Sequence, residues 1–156
     1  MKVREIMRRE ARFCHLWTTL AAAGRIMGEV GCGVLPVVDA NKRVVGMLTD
    51  RDICLAVAAK DCKPSEILAR EAIDSNEVFA CTGDDDIIDA LGAMGACQVR
   101  RLAVLDEAGL LDGILSIDDI ALVSRALGPD DFTGPFYSDV AKTLKAICGH
   151  PILSVC

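Results

Sequence analysis

Two short motifs place a hydroxyl three residues before a carboxylate: Thr49-x-x-Asp52 and Ser116-x-x-Asp119. Each motif lies where a β-branched run gives way to a helical pattern, so we expect the hydroxyl at a strand end and the carboxylate about one turn into a helix. Both groups can then face one point. A carboxylate can accept hydrogen bonds from both hydroxyls of a ribose, and the neighbouring hydroxyl can bond the ribose or a phosphate oxygen. These four residues are therefore candidate ribose- and phosphate-binding residues.

The same spacing also has a structural explanation. Ser and Thr are preferred N-cap residues, and an acid in the first turn interacts favourably with the helix dipole. An isolated motif of this kind favours the helix cap. The two roles are compatible, and ligand binding is favoured here because the motif occurs twice in matching surroundings.

A ligand phosphate would need cations, and Arg100 and Arg101 are the best-placed candidates. Arg51 and Lys63 are further options, and surface solvation explains each of these side chains nearly as well. The stretch Gly31-Cys32-Gly33 lacks the third glycine of a dinucleotide-binding fingerprint and follows a helix instead of a strand. It is therefore not assigned a phosphate-binding role.

The chain lacks three common catalytic motifs, namely G-x-x-x-x-G-K-S/T, H-E-x-x-H and G-x-S-x-G. Its two histidines are His15 and His150. His15 follows Cys14, but adjacent strand residues point to opposite faces, so the imidazole is not expected to activate that thiol. We predict no catalytic residue, no enzymatic activity and no required cofactor.

Eight cysteines occur without any C-x-x-C pair, and most have apolar neighbours: Cys14, Cys32, Cys54, Cys62, Cys81, Cys97, Cys148 and Cys156. This pattern favours small buried hydrophobes in a reducing compartment over a disulfide framework or a metal site. We therefore expect no bound metal.

The charge balance opposes binding to nucleic acid or to anionic membranes. The chain of 156 residues has 17 Lys and Arg against 23 Asp and Glu, a net charge of −6. It has one Trp and one Tyr, which offers little for stacking against exposed bases. No stretch approaches the roughly 18 to 20 apolar residues of a membrane span, and the first ten residues have no signal-peptide core. We expect a cytoplasmic protein.

An internal repeat organises these motifs. At a shift of 67 residues, segments 20–59 and 87–126 are identical at 12 of 40 positions without a gap. This shift aligns the two hydroxyl and acid motifs with each other, so a duplicated unit is predicted, with copies at 1–62 and 63–127. The openings 2–7 and 63–68 match at a shift of 61 instead. That difference predicts six extra residues within 69–77 of the second copy.

Each copy shows the same order of periodicities. Three apolar residues recur at the spacing of a buried helix stripe: Leu20, Ala23 and Met27, then Ile87, Ala90 and Met94. Two short, mostly apolar runs joined by a polar turn follow, as in a hairpin, at 34–38 and 44–48 and again at 102–105 and 110–115, and the first pair is rich in β-branched residues. A second helix is predicted at 50–59 and at 117–127, with Thr49 and Ser116 as N-caps. With a short first β segment, each copy is β-α-β-β-α, and the fold class is mixed α/β (α+β).

One copy of about 60 residues buries little apolar surface alone, so the two copies should pack together and leave a cleft at their junction. Residues 128–156 begin with a Gly- and Pro-rich loop at 128–135. A helix then carries Val140, Leu144, Ile147 and Cys148 on one face. This C-terminal helix is expected to pack on the module, the alternative being a contact with a partner.

Two stretches of each copy resemble the core signature of cystathionine β-synthase (CBS) repeats: 33–39 with 45–53, and 101–106 with 113–120. The resemblance covers residues 1 to about 127. It implies a Bateman-type module in which the two repeats are related by pseudo-twofold symmetry, often dimerised into a flat disc. It also implies regulatory binding of AMP, ADP, ATP, S-adenosylmethionine or a related adenosyl ligand.

The family places adenine contacts on the first hairpin strand of each repeat, which here gives Val34, Leu35, Pro36, Leu102 and Ala103. Ala103 stands where the family usually has proline. The leading hypothesis is a homodimeric sensing module that binds an adenosine-containing small molecule in its clefts and regulates a further protein. One alternative is a structural oligomerisation module without a ligand. Another is a thiol redox or metal sensor.

Overall fold

Five helices and seven strands make up the part of the chain that the computed structural model describes, residues 1–73, 78–126 and 133–149. The strands are β1 (Arg8–Arg9), β2 (Cys14–His15), β3 (Val34–Val38), β4 (Val44–Thr49), β5 (Ala80–Thr82), β6 (Arg101–Leu105) and β7 (Leu111–Ser116). The helices are α1 (Leu20–Val30), α2 (Asp50–Lys60), α3 (Ile87–Cys97), α4 (Ile117–Val123) and α5 (Tyr137–Ile147). The predicted order β-α-β-β-α is confirmed in both copies, as β2-α1-β3-β4-α2 and β5-α3-β6-β7-α4.

Two sheets carry the strands. The first has the order β2-β3-β4, in which β2 runs parallel to β3 and the β3–β4 hairpin is antiparallel. The second has the order β1-β7-β6-β5, in which β5 runs parallel to β6 and β1 runs antiparallel to β7. Each copy therefore contributes a parallel first strand and a hairpin to its own sheet.

Helices α1 and α3 begin at N-cap residues of the expected types. Thr19 caps α1 by accepting a hydrogen bond from Ala22 N at 3.2 Å, and Asp86 caps α3 by accepting from Ile88 N at 3.0 Å. The predicted stripes are confirmed, because all six of their residues are buried: Leu20, Ala23, Met27, Ile87, Ala90 and Met94.

The chain divides into two packing units, and neither is continuous in sequence. The first-copy unit consists of Glu10–Val78 and Ala108–Leu111, and the second-copy unit of Met1–Arg9, Phe79–Glu107 and Asp112–Cys156. The buried apolar side chains form one cluster in each unit. In the first-copy unit they include Leu20, Leu35, Leu48 and Ile67, and in the second-copy unit Val3, Leu102, Leu115 and Ile120.

The predicted insertion in the second copy is wrong. A short 3-10 turn at Val3–Glu5 has its counterpart at Ala69–Glu71, a shift of 66. The same bond closes both turns, since Glu5 accepts from Lys2 N at 2.9 Å and Glu71 accepts from Leu68 N at 2.8 Å. The similarity of 2–7 to 63–68 was therefore misleading, and the copies keep nearly the same spacing throughout.

Two helix predictions need correction at their ends. Helix α4 stops at Val123, where Ser124 Oγ donates to Ala121 O at 2.8 Å, instead of continuing to 127. Helix α5 buries Val140 and Ile147 as predicted, but its third buried residue is Thr143, while Leu144 and Cys148 are exposed. Thr143 Oγ1 donates to Leu91 O of α3 at 3.3 Å, so α5 belongs to the core of the second-copy unit. Of the predicted loop, residues 128–132 lie outside the described part.

Candidate functional site

The first corner, formed by Thr49 and Asp52, lies at the junction of β4 and α2. The Thr49 hydroxyl accepts a hydrogen bond from Asp52 N at 3.1 Å. In return, Asp52 Oδ2 accepts from Thr49 N at 2.8 Å and from Thr49 Oγ1 at 2.6 Å. Both residues are half-buried. Among the described residues, no hydrogen bond or ion pair reaches the Oδ1 oxygen of Asp52. The helix cap is confirmed, and the second carboxylate oxygen of Asp52 takes no part in it.

The second corner, formed by Ser116 and Asp119, repeats this cap at the junction of β7 and α4. Ser116 Oγ accepts from Asp119 N at 3.1 Å, and Asp119 Oδ2 accepts from Ser116 N at 3.1 Å and from the Ser116 hydroxyl. The difference is at the other oxygen, because Arg8 Nε donates to Asp119 Oδ1 at 2.8 Å. Asp119 is only 8% exposed, whereas the Arg8 side chain is 67% exposed.

A strand start lies beside each corner. In the first-copy unit Val34 pairs with the last residue of β4, and Asp50 N donates to Gly33 O at 3.1 Å. In the second-copy unit Ile117 N donates to Arg100 O at 2.9 Å. The beginnings of β3 and β6 therefore adjoin their own corners, where the predicted adenine-contacting residues begin.

The predicted adenine-pocket residues are all buried, and they divide between the two faces of their sheets. Leu35 and Leu102 belong to the hydrophobic core clusters, so their side chains serve the core. Val34, Pro36 and Ala103 alternate with them along the strands and so point to the opposite face. These three are the better placed for contact with a planar ligand.

The predicted phosphate-binding cations differ in their surroundings. Arg101 lies 3.8 Å from the exposed Asp118 carboxylate and is half-buried. Arg100, Arg51 and Lys63 are exposed. Arg100 directly precedes β6 and Arg101 is its first residue, next to the second corner.

Arg8 was missed by the sequence patterns. The shift of 66 that relates the two 3-10 turns pairs Met7 with Ile73. These side chains occupy equivalent places, because a Cβ added at Gly113 would lie 3.4 Å from Met7 Sδ and a Cβ added at Gly46 would meet Ile73. At this shift Arg8 pairs with Asp74, so the comparison of sequences alone does not place Arg8 beside the second motif.

The buried cysteines are poor nucleophiles. Cys14 on β2 and Cys81 on β5 are matched by the repeat. Burial raises the pKa of the Cys14 thiol to about 11. Burial, with a smaller effect of the Asp85 carboxylate, raises the pKa of the Cys81 thiol to about 12. These two thiols match the prediction of small buried hydrophobes, whereas three others are exposed: Cys54, Cys62 and Cys148.

We expect five of the eight thiols to react with Ellman's reagent in two distinct classes at pH 8. Cys54, Cys62 and Cys148 should react quickly. Cys14 and Cys81 should react at least about 100-fold more slowly, because they are shielded and carry far less thiolate. Stopped-flow absorbance with single Cys→Ser variants identifies each phase. Fast reaction of Cys14 in the folded protein would contradict this assignment and support a thiol sensor.

Neither a metal site nor a membrane span is found in the described part of the chain. Over residues 1–73, 78–126 and 133–149, no three His, Cys, Asp or Glu side chains are grouped so that they could hold a metal ion. Within the same residues, every helix is too short or too polar to cross a bilayer.

A comparison with protein families matches the sequence to one of them. The model of the CBS domain fits the chain twice, at residues 3–59 and 69–125. The two matches begin 66 residues apart, in agreement with the shift that the 3-10 turns establish.

Three relatives match this chain over different shares of their own length. A Methanopyrus kandleri protein is 29% identical over 127 residues, covering 81% of this chain and 64% of the relative. Hypoxic response protein 1 of Mycobacterium tuberculosis is 36% identical over 103 residues, 66% of this chain and 71% of that protein. Inosine-5′-monophosphate dehydrogenase of Methanocaldococcus jannaschii is 29% identical over 130 residues, 73% of this chain and 25% of the enzyme. This chain thus spans less than two thirds of the first relative and a quarter of the enzyme.

Solved structures share the fold. Hypoxic Response Protein I, solved with two coordinated zinc ions, has a TM-score of 0.72 and 32% identity, covering 80% of this chain and all of that one. A Pyrobaculum aerophilum CBS domain protein complexed with AMP has a TM-score of 0.67 and 20% identity over 77% of this chain and 90% of that one. A CBS domain pair in complex with 5′-methylthioadenosine and S-adenosyl-L-methionine has a TM-score of 0.67 and 23% identity over 79% of this chain and 94% of that one.

Proposed function

This chain belongs to the CBS domain family, and on that basis we propose that it is a non-catalytic regulatory module that binds an adenosine-containing small molecule. The ribose would be held by at least one of the two hydroxyl and acid corners. The module would then control a partner protein through the difference in its affinity for the ligand in two conformational states.

The geometry of the first corner carries this proposal. The bonds of Thr49 hold the Asp52 carboxylate in a fixed orientation, so a ligand does not have to order it. Its remaining oxygen can accept a hydrogen bond from a ribose hydroxyl, and charge-assisted bonds of this kind are about twice as strong as neutral ones. Val34 and Pro36 on the adjoining strand offer an apolar surface for adenine.

The class of ligand follows from these groups and from the neighbouring structures with AMP or S-adenosylmethionine. The candidates are AMP, ADP, ATP and S-adenosylmethionine, which share the adenosyl group. Arg100 and Arg101 are the candidate phosphate-binding cations if a ligand is held at the second corner. A phosphorylated ligand would be favoured wherever these guanidinium groups take part.

A thermal-shift screen followed by calorimetry tests the proposal. At millimolar AMP, ATP or S-adenosylmethionine, at least one ligand is expected to raise the melting temperature, because a ligand that binds only the folded state stabilises it. Guanosine and inorganic phosphate are the matched controls for the base and for the phosphate. No shift and no binding heat with any adenosyl compound at millimolar concentration would refute the proposal.

A second candidate function, oligomerisation through protein contacts, is favoured by a repeated surface feature. Leu55 on α2 and Leu122 on α4 occupy equivalent positions of the two copies. Both are exposed, Leu55 at 55% and Leu122 at 81%. Large apolar side chains exposed at the same place in both copies suit a protein interface. We therefore propose a homodimer that buries these leucines.

We expect Leu122→Asp to weaken self-association by at least about 10-fold, because it would bury a charge in an apolar interface. Light scattering coupled to size-exclusion chromatography, over a range of concentrations, measures the change. Ala126→Asp, also exposed but beyond the end of α4, is the control. A wild-type chain that stays monomeric at high micromolar concentration would rule out the homodimer.

A further inference from the structure

We infer that the two corners differ in function. The first corner binds the ligand. In the second corner, the Arg8 side chain takes the place of a ligand by bonding to Asp119. This inference rests on the proposed function and specifies which of the two corners serves it. It predicts one adenosyl site per chain, built on Asp52.

The hydrogen bonds of the two carboxylates carry the inference. Oδ2 of both Asp52 and Asp119 accepts the hydrogen bonds of the helix cap, so only Oδ1 is left to accept a hydrogen bond from a ligand. In the first corner no described residue bonds to that oxygen. In the second corner Arg8 Nε donates to it at 2.8 Å. A ribose hydroxyl would therefore have to displace a guanidinium from Asp119, but no group of the described residues from Asp52 Oδ1.

Burial points the same way. Thr49 and Asp52 are half-buried, whereas Ser116 and Asp119 are 7% and 8% exposed. A buried carboxylate that loses its cationic partner without a replacement is strongly destabilised. The neutral hydroxyls of a ribose replace a guanidinium poorly, so Arg8 is the better partner for Asp119.

The backbone fixes Arg8 in this place. Strand β1 pairs with β7 so that Arg8 lies opposite Ile114 and Arg9 lies opposite Gly113. The strand approaches β7 so closely that a Cβ added at Gly113 would lie 2.7 Å from Arg8 O. Arg8 is thus held by the sheet as well as by its ion pair.

At the shift of 66, the position that corresponds to Arg8 is not an arginine in the sequence. Met7 and Ile73 occupy equivalent places, and each is followed by a charged residue. After Met7 this residue is Arg8, but after Ile73 it is Asp74, which lies outside the described part. The sequence of the first-copy unit therefore has an acid at the position where that of the second-copy unit has an arginine.

Calorimetry with adenosine, an uncharged probe, tests the assignment because it removes attraction between a phosphate and Arg8. The wild-type chain is expected to bind one adenosine, and Asp52→Asn is expected to bind it at least about 30-fold more weakly. Two equivalent sites in the wild type, or unchanged affinity in Asp52→Asn, would overturn the inference while leaving the proposed function intact. Absence of any adenosine binding, together with none of AMP or S-adenosylmethionine, would overturn both.

The role of Arg8 is tested by a double-mutant cycle in urea unfolding. Arg8→Gln is expected to lower the equilibrium constant for folding about 10-fold, since a hydrogen bond between charged groups is lost. Combined with Asp119→Asn, the effects should fall short of additivity by at least about 5-fold. Arg9→Gln is the matched control, because Arg9 is the neighbouring arginine, and it should combine additively with Asp119→Asn. Additive effects for Arg8 would overturn the assignment.

Discussion

Asn in place of Asp52 is expected to weaken AMP or S-adenosylmethionine binding at least about 30-fold, because a charge-assisted hydrogen bond is lost and the amide brings a donor toward the ribose hydroxyls. The substitution keeps the size of the side chain, and its oxygen can still accept from Thr49 N. The folded state should therefore persist, and circular dichroism should show an unchanged helix content. Calorimetry gives the dissociation constant for each ligand.

Asp50→Asn is the matched control for this result. Asp50 lies in the same first turn of α2 and is exposed, and its Oδ1 accepts from Arg51 N at 2.8 Å. The change removes the same charge at a distance of two residues, so it reproduces any general electrostatic effect. Equal losses of affinity in both variants would show that Asp52 has no direct contact with the ligand.

The fold was predictable from the sequence because many of the residues that match between the two copies are core residues. Leu35 and Leu48 are buried in one copy, and their counterparts Leu102 and Leu115 are buried in the other. Such residues tolerate few replacements, since protein interiors are close-packed. The shift of 67 residues was therefore visible without any structure.

Some turns of the backbone were not predictable in the same way. Gly31 ends α1 with φ of 64°, and its counterpart Gln98 ends α3 with φ of 54°. Gly109 has φ of 77° in one hairpin turn, and its counterpart Lys42 has φ of 61° in the other. A left-handed residue other than glycine costs roughly 1–2 kcal/mol, which the surrounding structure can offset. The conformation was thus conserved between the copies while the glycine that would have signalled it was not.

The candidate site was predictable only in part. The spacing of Thr49 and Asp52 identified both corners and their caps. The contact between Arg8 and Asp119 was not visible, because it joins residues 111 positions apart within a unit that is discontinuous in sequence. Short-range patterns describe one helix or hairpin at a time, so a partner supplied by the far end of the chain leaves no local signal.

A methyl group at Gly113 should destabilise the second-copy unit strongly. The added Cβ would lie 2.7 Å from the carbonyl oxygen of Arg8, and that atom belongs to a paired strand that cannot rotate away. We expect Gly113→Ala to lower the free energy of unfolding by about 2 to 4 kcal/mol, in the range of overpacked cores. Urea unfolding monitored by circular dichroism measures it.

Gly46→Ala supplies the comparison that separates this contact from the general effect of replacing glycine. Gly46 is the counterpart of Gly113 in the repeat, but its added Cβ would meet Ile73 Cδ1 at 2.7 Å, the far end of a side chain that can change rotamer. Neither glycine has a positive φ, so alanine strains neither backbone, and both variants gain equally from the lower entropy of the unfolded chain. Gly46→Ala should therefore cost about 1 kcal/mol or less. Equal losses in the two variants would mean that the N-terminal strand does not pack against β7 in solution, and Arg8 would then have no fixed position beside Asp119.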